Sequence, residues 1–157
     1  MNLNAASILA PTLGIGANRD QIITALGEPQ DAGAGLRGFT LLAYRERTIQ
    51  CTFRADGLFL LAFYFRTPGS EEWPECLAAL ADFSSETKPG EVEGWLGRRD
   101  IPVRRMSVCD EVVIEAPDGV RFYFESGQLS SIQIISVAPV PDSARDPLRG
   151  AGRRTAS

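Results

Sequence analysis

The chain has 157 residues, 44% hydrophobic and 23% charged, with a formal net charge of −4 and no histidine. That length and balance suit one domain or two small fused units of an ordinary globular protein with a real core. No run approaches the roughly 20 consecutive apolar residues of a bilayer span, and an acidic body repels phosphates, so neither a membrane nor a nucleic acid is expected as a partner.

The charge is unevenly spread. From Pro139 onward come four arginines and two aspartates, leaving 12 basic and 18 acidic residues up to Ala138, a net −6 that would steer a basic partner toward the body. Met1-Asn2-Leu3-Asn4 lacks the charged and apolar regions of a secretory leader. Cys51, Cys76 and Cys109 are odd in number and far apart, which favours reduced thiols. A cytoplasmic protein is therefore expected. Without histidine or a Cys-x-x-Cys pair, no metal site and no cofactor are expected.

In chain order, a short apolar stretch from Ala5 to Ala10 ends at Pro11. Asn18, with Gln21 three residues on, reads as a capping box for a helix carrying Ile22, Ile23 and Leu26 inward and stopping at Gly27-Glu28-Pro29. Asp31 to Gly38 reads as Gly-rich connecting sequence, followed by strands over Phe39–Tyr44, Thr48–Arg54 and Leu58–Phe65. Ala55-Asp56-Gly57 joins the last two as a hairpin. Glu71–Asp82 has helical spacing, and Thr87 is the expected cap of a further helix bearing Val92, Trp95 and Leu96. Three strands follow, Glu111–Ala116, Val120–Glu125 and Leu129–Val137. The last stretch, rich in Pro, Arg and Ser, predicts a disordered tail.

Apolar positions also match between the halves. Leu13, Ile22 and Leu26-Gly27 recur as Phe83, Val92 and Leu96-Gly97 at an offset of 70, and Phe53, Leu58, Leu61 and Phe63 recur as Phe124, Leu129, Ile132 and Ile134 at 71. Matched spacing implies one packing scheme used twice. The expected fold is α+β: two tandem helix-helix-antiparallel-sheet repeats over 1–68 and 69–138, forming one two-layer molecule with a curved sheet, then a basic tail over 139–157. Strand parity places Ile49, Cys51, Phe53, Leu61 and Phe63 against the helices, together with Val120, Phe122, Phe124, Ile132 and Ile134. Leu42, Tyr44, Gln50, Arg54, Tyr64, Arg121 and Tyr123 are expected on the opposite face.

All three tyrosines fall on that opposite face, and tyrosine with arginine is enriched at protein interfaces. The candidate binding residues are therefore Tyr44, Arg54, Tyr64, Arg121 and Tyr123. Glu71, Glu72, Glu75, Glu91 and Glu93 sit where carboxylates favour helix N-termini and read as solvated caps. Catalytic readings lack a histidine base, a reactive-thiolate environment or a phosphate loop, since Leu13-Gly14-Ile15-Gly16 has no third glycine at the needed spacing. No enzyme is expected.

Leu13-Gly14-Ile15-Gly16, then Arg19-Asp20-Gln21-Ile22-Ile23 and Leu26-Gly27-Glu28-Pro29, resembles the helix motif of SmpA/OmlA (BamE-like) and beta-lactamase-inhibitor-protein-like (BLIP-like) repeats. The resemblance runs roughly from Leu3 to Val137, although Gly97 is followed by Arg98-Arg99 with no Glu-Pro. It implies two helices against a curved antiparallel sheet that grips another protein, and a likeness to small cytoplasmic bacterial immunity-type proteins. The expected function is a protein-binding module of immunity or inhibitor type, a monomer or homodimer whose partner could be a basic toxin. The alternatives are a structural or assembly homo-oligomer and a small-ligand binder.

Overall fold

The computed structural model describes residues 4–34, 38–45, 48–54, 57–66 and 72–136. Helices α1 (Ala5–Leu9) and α2 (Arg19–Leu26) each open on an asparagine. Asn4 Oδ1 accepts the Ser7 N–H at 2.8 Å, and Asn18 Oδ1 accepts the Gln21 N–H at 2.9 Å. Gln21 Oε1 accepts the Asn18 N–H in return at 2.8 Å, so two donors of the first turn are satisfied. α2 ends at Gly27, where φ is +86° and a side chain would be strained.

Strands β1 (Asp31–Ala34), β2 (Thr40–Tyr44), β3 (Ile49–Arg54) and β4 (Gly57–Tyr64) come next. A 3-10 segment (Glu75–Asp82) and helix α3 (Pro89–Gly97) lead to β5 (Arg104–Val108), β6 (Glu111–Ala116), β7 (Val120–Glu125) and β8 (Gln128–Ile135). The eight strands form one sheet in the order β1-β2-β3-β4-β8-β7-β6-β5, every pair antiparallel.

One face of this sheet holds the core. Ile49, Cys51, Phe53, Leu61, Phe63, Val120, Phe122, Phe124, Ile132 and Ile134 are all buried there. Leu9, Ile22, Leu77, Leu80, Val92, Trp95 and Leu96 join the same cluster from the helical elements. The Trp95 indole donates to Asp82 Oδ2 at 3.0 Å, tying α3 to the 3-10 segment, and the Arg99 guanidinium stacks 3.8 Å from the Trp95 ring centre.

Several expectations are corrected. The molecule is a single, mostly-sheet body with short helices, not two tandem helix-helix-sheet repeats. The matched apolar positions record burial against one shared core, since Leu13, Phe83, Ile22, Val92, Phe53, Phe124, Leu58 and Leu129 all belong to it. β1 and β5 were not expected because edge strands need no apolar alternation: β1 is exposed throughout and β5 nearly so. Glu75–Asp82 is a 3-10 segment kinked at Leu77 (φ −121°), not an α-helix. Thr87 does not cap α3. Its hydroxyl accepts the Ser84 N–H at 2.9 Å, and the Glu91 carboxylate accepts the N–H of the cap, Lys88, at 3.1 Å. Glu71, the Ala55-Asp56 turn and the tail over 139–157 lie outside the described residues.

The loop before α2 is stitched to the start of β4: Gly16 N–H donates to the Leu58 carbonyl at 2.9 Å, and Leu58 N–H to the Ala17 carbonyl at 2.7 Å. Gly57 sits at φ +121°, where a methyl group would overlap the Gly16 carbonyl. Gly57→Ala is therefore expected to cost about 1–3 kcal/mol. Phe122→Ala, which empties a fully buried site, is expected to cost about 3–5 kcal/mol. Urea unfolding of the two variants beside the parent chain checks both.

Candidate functional site

No described helix packs on the second face of the sheet. Its strands nevertheless bury Ala43, Ala62, Val113 and Ser131, which lie outside the helix-covered cluster. These are small or medium side chains shaded by taller neighbours, so the face has relief. Register shows how the relief arises. Across β4, β8, β7, β6 and β5 runs the row Tyr64, Ser131, Tyr123, Val113 and Met106. The adjacent row runs Ala43, Gln50, Ala62, Gln133, Arg121, Glu115 and Arg104, from β2 to β5. Ser131 therefore sits low between two half-buried tyrosines.

Around it lies a depression of about 390 Å³ lined by Tyr64, Phe65, Arg66, Glu111, Tyr123, Glu125, Ser130, Ser131 and Gln133. β-bulges at Thr52/Phe53 and Tyr123/Phe124 interrupt the ladders on either side of the central strands. At the second bulge, the Ser130 hydroxyl donates to the Tyr123 carbonyl at 3.1 Å. That bond occupies a backbone acceptor next to the register shift. In the neighbouring row, Arg121 Nε donates to Glu115 Oε2 at 3.0 Å. Hydrogen bonding from the Arg121 side chain to Tyr123, and then to Glu115, holds the guanidinium above its ordinary pKa, so this arginine is a fixed positive charge.

Of the five residues singled out from sequence, the structure gathers three. Tyr64 and Tyr123 flank Ser131, and Arg121 is two positions from Tyr123 on the same face. Arg54 lies apart, at the far end of β3, with its guanidinium 3.9 Å from the Phe59 ring centre and 5.4 Å from that of Phe39. Tyr44 is a correction. It pairs with Ile49 on the core face, is 4% exposed, and its hydroxyl donates to the Gly27 carbonyl at 2.9 Å. Leu42, opposite Cys51, moves to the core with it. Thr40–Tyr44 has Leu41, Leu42 and Ala43 in succession, so alternation could not tell its faces apart. Strand parity puts Ser131 and Glu125 on this face as well, but not beside Tyr64 or Glu111, because that meeting depends on β8 lying between β4 and β7.

The three cysteines sit in different surroundings. Burial pushes the Cys51 thiol up to about 12, far from a reactive thiolate. Cys76 is half-buried beside the Ala25 carbonyl, and Cys109 is exposed in the β5–β6 turn.

No family model matches the chain, and no curated protein matches it. Solved structures do. An extracellular protein containing an SCP domain from Bacillus anthracis is 11% identical, with a TM-score of 0.49, over 91% of this chain and 55% of that one. A cysteine-rich secretory protein from Staphylococcus aureus is 6% identical, with a TM-score of 0.40, over 78% of this chain and 44% of that one. The chain thus spans about half the length of these structures. The SmpA/OmlA (BamE-like) and BLIP-like resemblance is corrected by the single mostly-sheet architecture, and no family model supports it. The motif behind it describes one capped helix ending in Gly-Glu-Pro, a local device that many folds share. Both solved proteins are described as extracellular or secretory, in contrast to the cytoplasmic expectation for this chain.

Burial also pushes the Tyr44 hydroxyl from 10.0 up to about 12, as it does the Cys51 thiol from 9.0. Unfolded, both ionise near their ordinary values, whereas folded they stay neutral to about pH 12. Their contribution to stability is fully present below pH 9 and is lost as pH rises through that window. Urea midpoints measured across it should fall for the parent chain and fall less for a Tyr44→Phe/Cys51→Ala variant.

Proposed function

We propose that this protein is a protein-binding module that uses the helix-free face of its sheet, and that it acts by occupying its partner, as an inhibitor or immunity-type protein does. The observation that carries the reading is the patch at the centre of that face: Tyr64 and Tyr123 on either side of the low-lying Ser131, with Arg121 braced by Glu115 beside them. Binding energy concentrates in such aromatic and arginine anchors when they surround a site from which water is excluded. The chain's net charge of −4 favours a basic partner, whose approach it would accelerate.

Tyr64→Ala and Tyr123→Ala test the proposal, because neither ring belongs to the helix-covered core. Each should keep the parent thermal midpoint while weakening the complex by about 2 kcal/mol or more. The readout is affinity capture from the native host, with quantitative mass spectrometry of what the parent chain retains and the variants lose. Capture that is indifferent to both substitutions would overturn the proposal. So would light scattering that shows a dimer dissociating on the same substitutions, because the face would then be occupied by a second copy.

A further inference from the structure

The positions matched at 71 residues agree on the core face of the sheet and part company on the other. Phe53, Leu58, Leu61 and Phe63 have Phe124, Leu129, Ile132 and Ile134 as counterparts, and even the β-bulge at Thr52/Phe53 recurs at Tyr123/Phe124. On the helix-free side the counterparts of Phe59 and Leu60 are Ser130 and Ser131, and that of Arg54 is Glu125. β8 keeps the register against β7 that β4 keeps against β3, with two serines in place of Phe59 and Leu60. Strand pairing therefore has no need of apolar side chains at these two positions.

Phe59 and Leu60 belong instead to an apolar corner of the open face. Register lines up Leu41, Thr52, Leu60 and Ile135 across β2, β3, β4 and β8, all half-buried and none in the helix-covered cluster. Beyond that row the Phe39 and Phe59 rings meet at 5.8 Å, and the Arg54 guanidinium lies over both. Among the described residues this guanidinium has no hydrogen-bond acceptor and no carboxylate partner. Stacking uses its flat face and leaves its N–H donors available. Any surface that covers the corner takes Arg54 out of water, which costs free energy unless that surface brings an anion.

We infer that this corner receives an apolar side chain of the protein partner together with a neighbouring aspartate or glutamate, whose carboxylate pairs with Arg54. The inference rests on the proposed function and names the chemistry its partner must offer at a second point on the same face. The guanidinium fork accepts a carboxylate through two parallel hydrogen bonds, which fixes orientation as well as charge. The chain's overall negative charge acts on a partner's approach, whereas Arg54 acts at contact, so a basic protein with one acidic residue in its binding surface meets both demands.

The test titrates two fluorescent probes into the full chain: anilinonaphthalene sulfonate, an apolar anion, and its uncharged analogue phenylnaphthylamine. The anion should bind saturably. Phe59→Ser/Leu60→Ser, which installs the side chains β8 carries, should stay folded by circular dichroism and bind the anion about tenfold or more weakly. Arg54→Met keeps an apolar stem on the rings; it should weaken the anion about threefold or more and leave the neutral analogue unchanged. Should the double variant unfold, Arg54→Met alone decides. Anion binding indifferent to the variants, or equal losses for the two probes on Arg54→Met, would overturn the inference. Affinity capture from the native host then identifies the source, since the parent chain should retain a protein that both variants lose. If capture depends on Tyr64 and Tyr123 but ignores the corner variants, this inference fails and the proposed function stands. If the anion binds as expected but capture ignores the tyrosines and the corner alike, the proposed function fails, and with it the partner as the source of the carboxylate.

Discussion

The pairing of β4 with β8 is the contact on which the rest of the molecule depends. It joins the strands that end the two halves of the chain, through five matched positions from Leu60↔Ile135 to Tyr64↔Ser131. On one face it places Leu61 against Ile134 and Phe63 against Ile132, all buried. Strands far apart in sequence thereby contribute to a single apolar layer, large enough to be closed by helices as short as five residues. Without that junction each half would be a four-stranded meander with an open hydrophobic edge, a poor basis for independent stability.

The same five pairs shape the other face. Side chains alternate across a strand, so every large apolar pair directed at the helices obliges a neighbour to project the opposite way. At this junction those neighbours include Ala62 and Ser131, both small. Larger residues on β4, β7 and β8 rise around them, which makes a depression where a flat sheet would have had none. The site is thus a by-product of the core register and inherits its rigidity. Loops, the commoner carriers of recognition, contribute little to its lining.

Much of the core could be read from the sequence. Period-2 alternation in Ile49–Arg54 and Val120–Glu125 named the buried rings correctly, because each of these strands has one apolar and one polar side. The Asn18 cap and the Gly27 stop were legible because each is a local signal, whereas the Asn4 cap of α1 was not singled out. Thr40–Tyr44 was not, since its apolar residues run consecutively and its two sides look alike, which is why Tyr44 was assigned to the wrong face. β1 and β5 were missed because a strand at the margin buries little and leaves no pattern. The recurrence at 70 and 71 residues was real as spacing but says only that the same kind of layer is filled twice. Which strand lies beside which is a long-range fact, and the grouping of Ser131 with Tyr64, Tyr123 and Glu111 depends on it entirely.

The two margins of the sheet have a consequence for how the protein behaves at high concentration. A sheet with two free sides is a template onto which further copies can crystallise strand by strand. Here β1 is only four residues long and begins with Asp31, while β5 carries Arg104 and Arg105, the latter anchored to Glu93 of α3 by a hydrogen bond of 3.2 Å from its Nε. Short length, charge and tethering each blunt strand addition. Both margins of the described sheet thus oppose the strand-by-strand addition of further copies, so its broad faces can lie exposed without seeding a fibre.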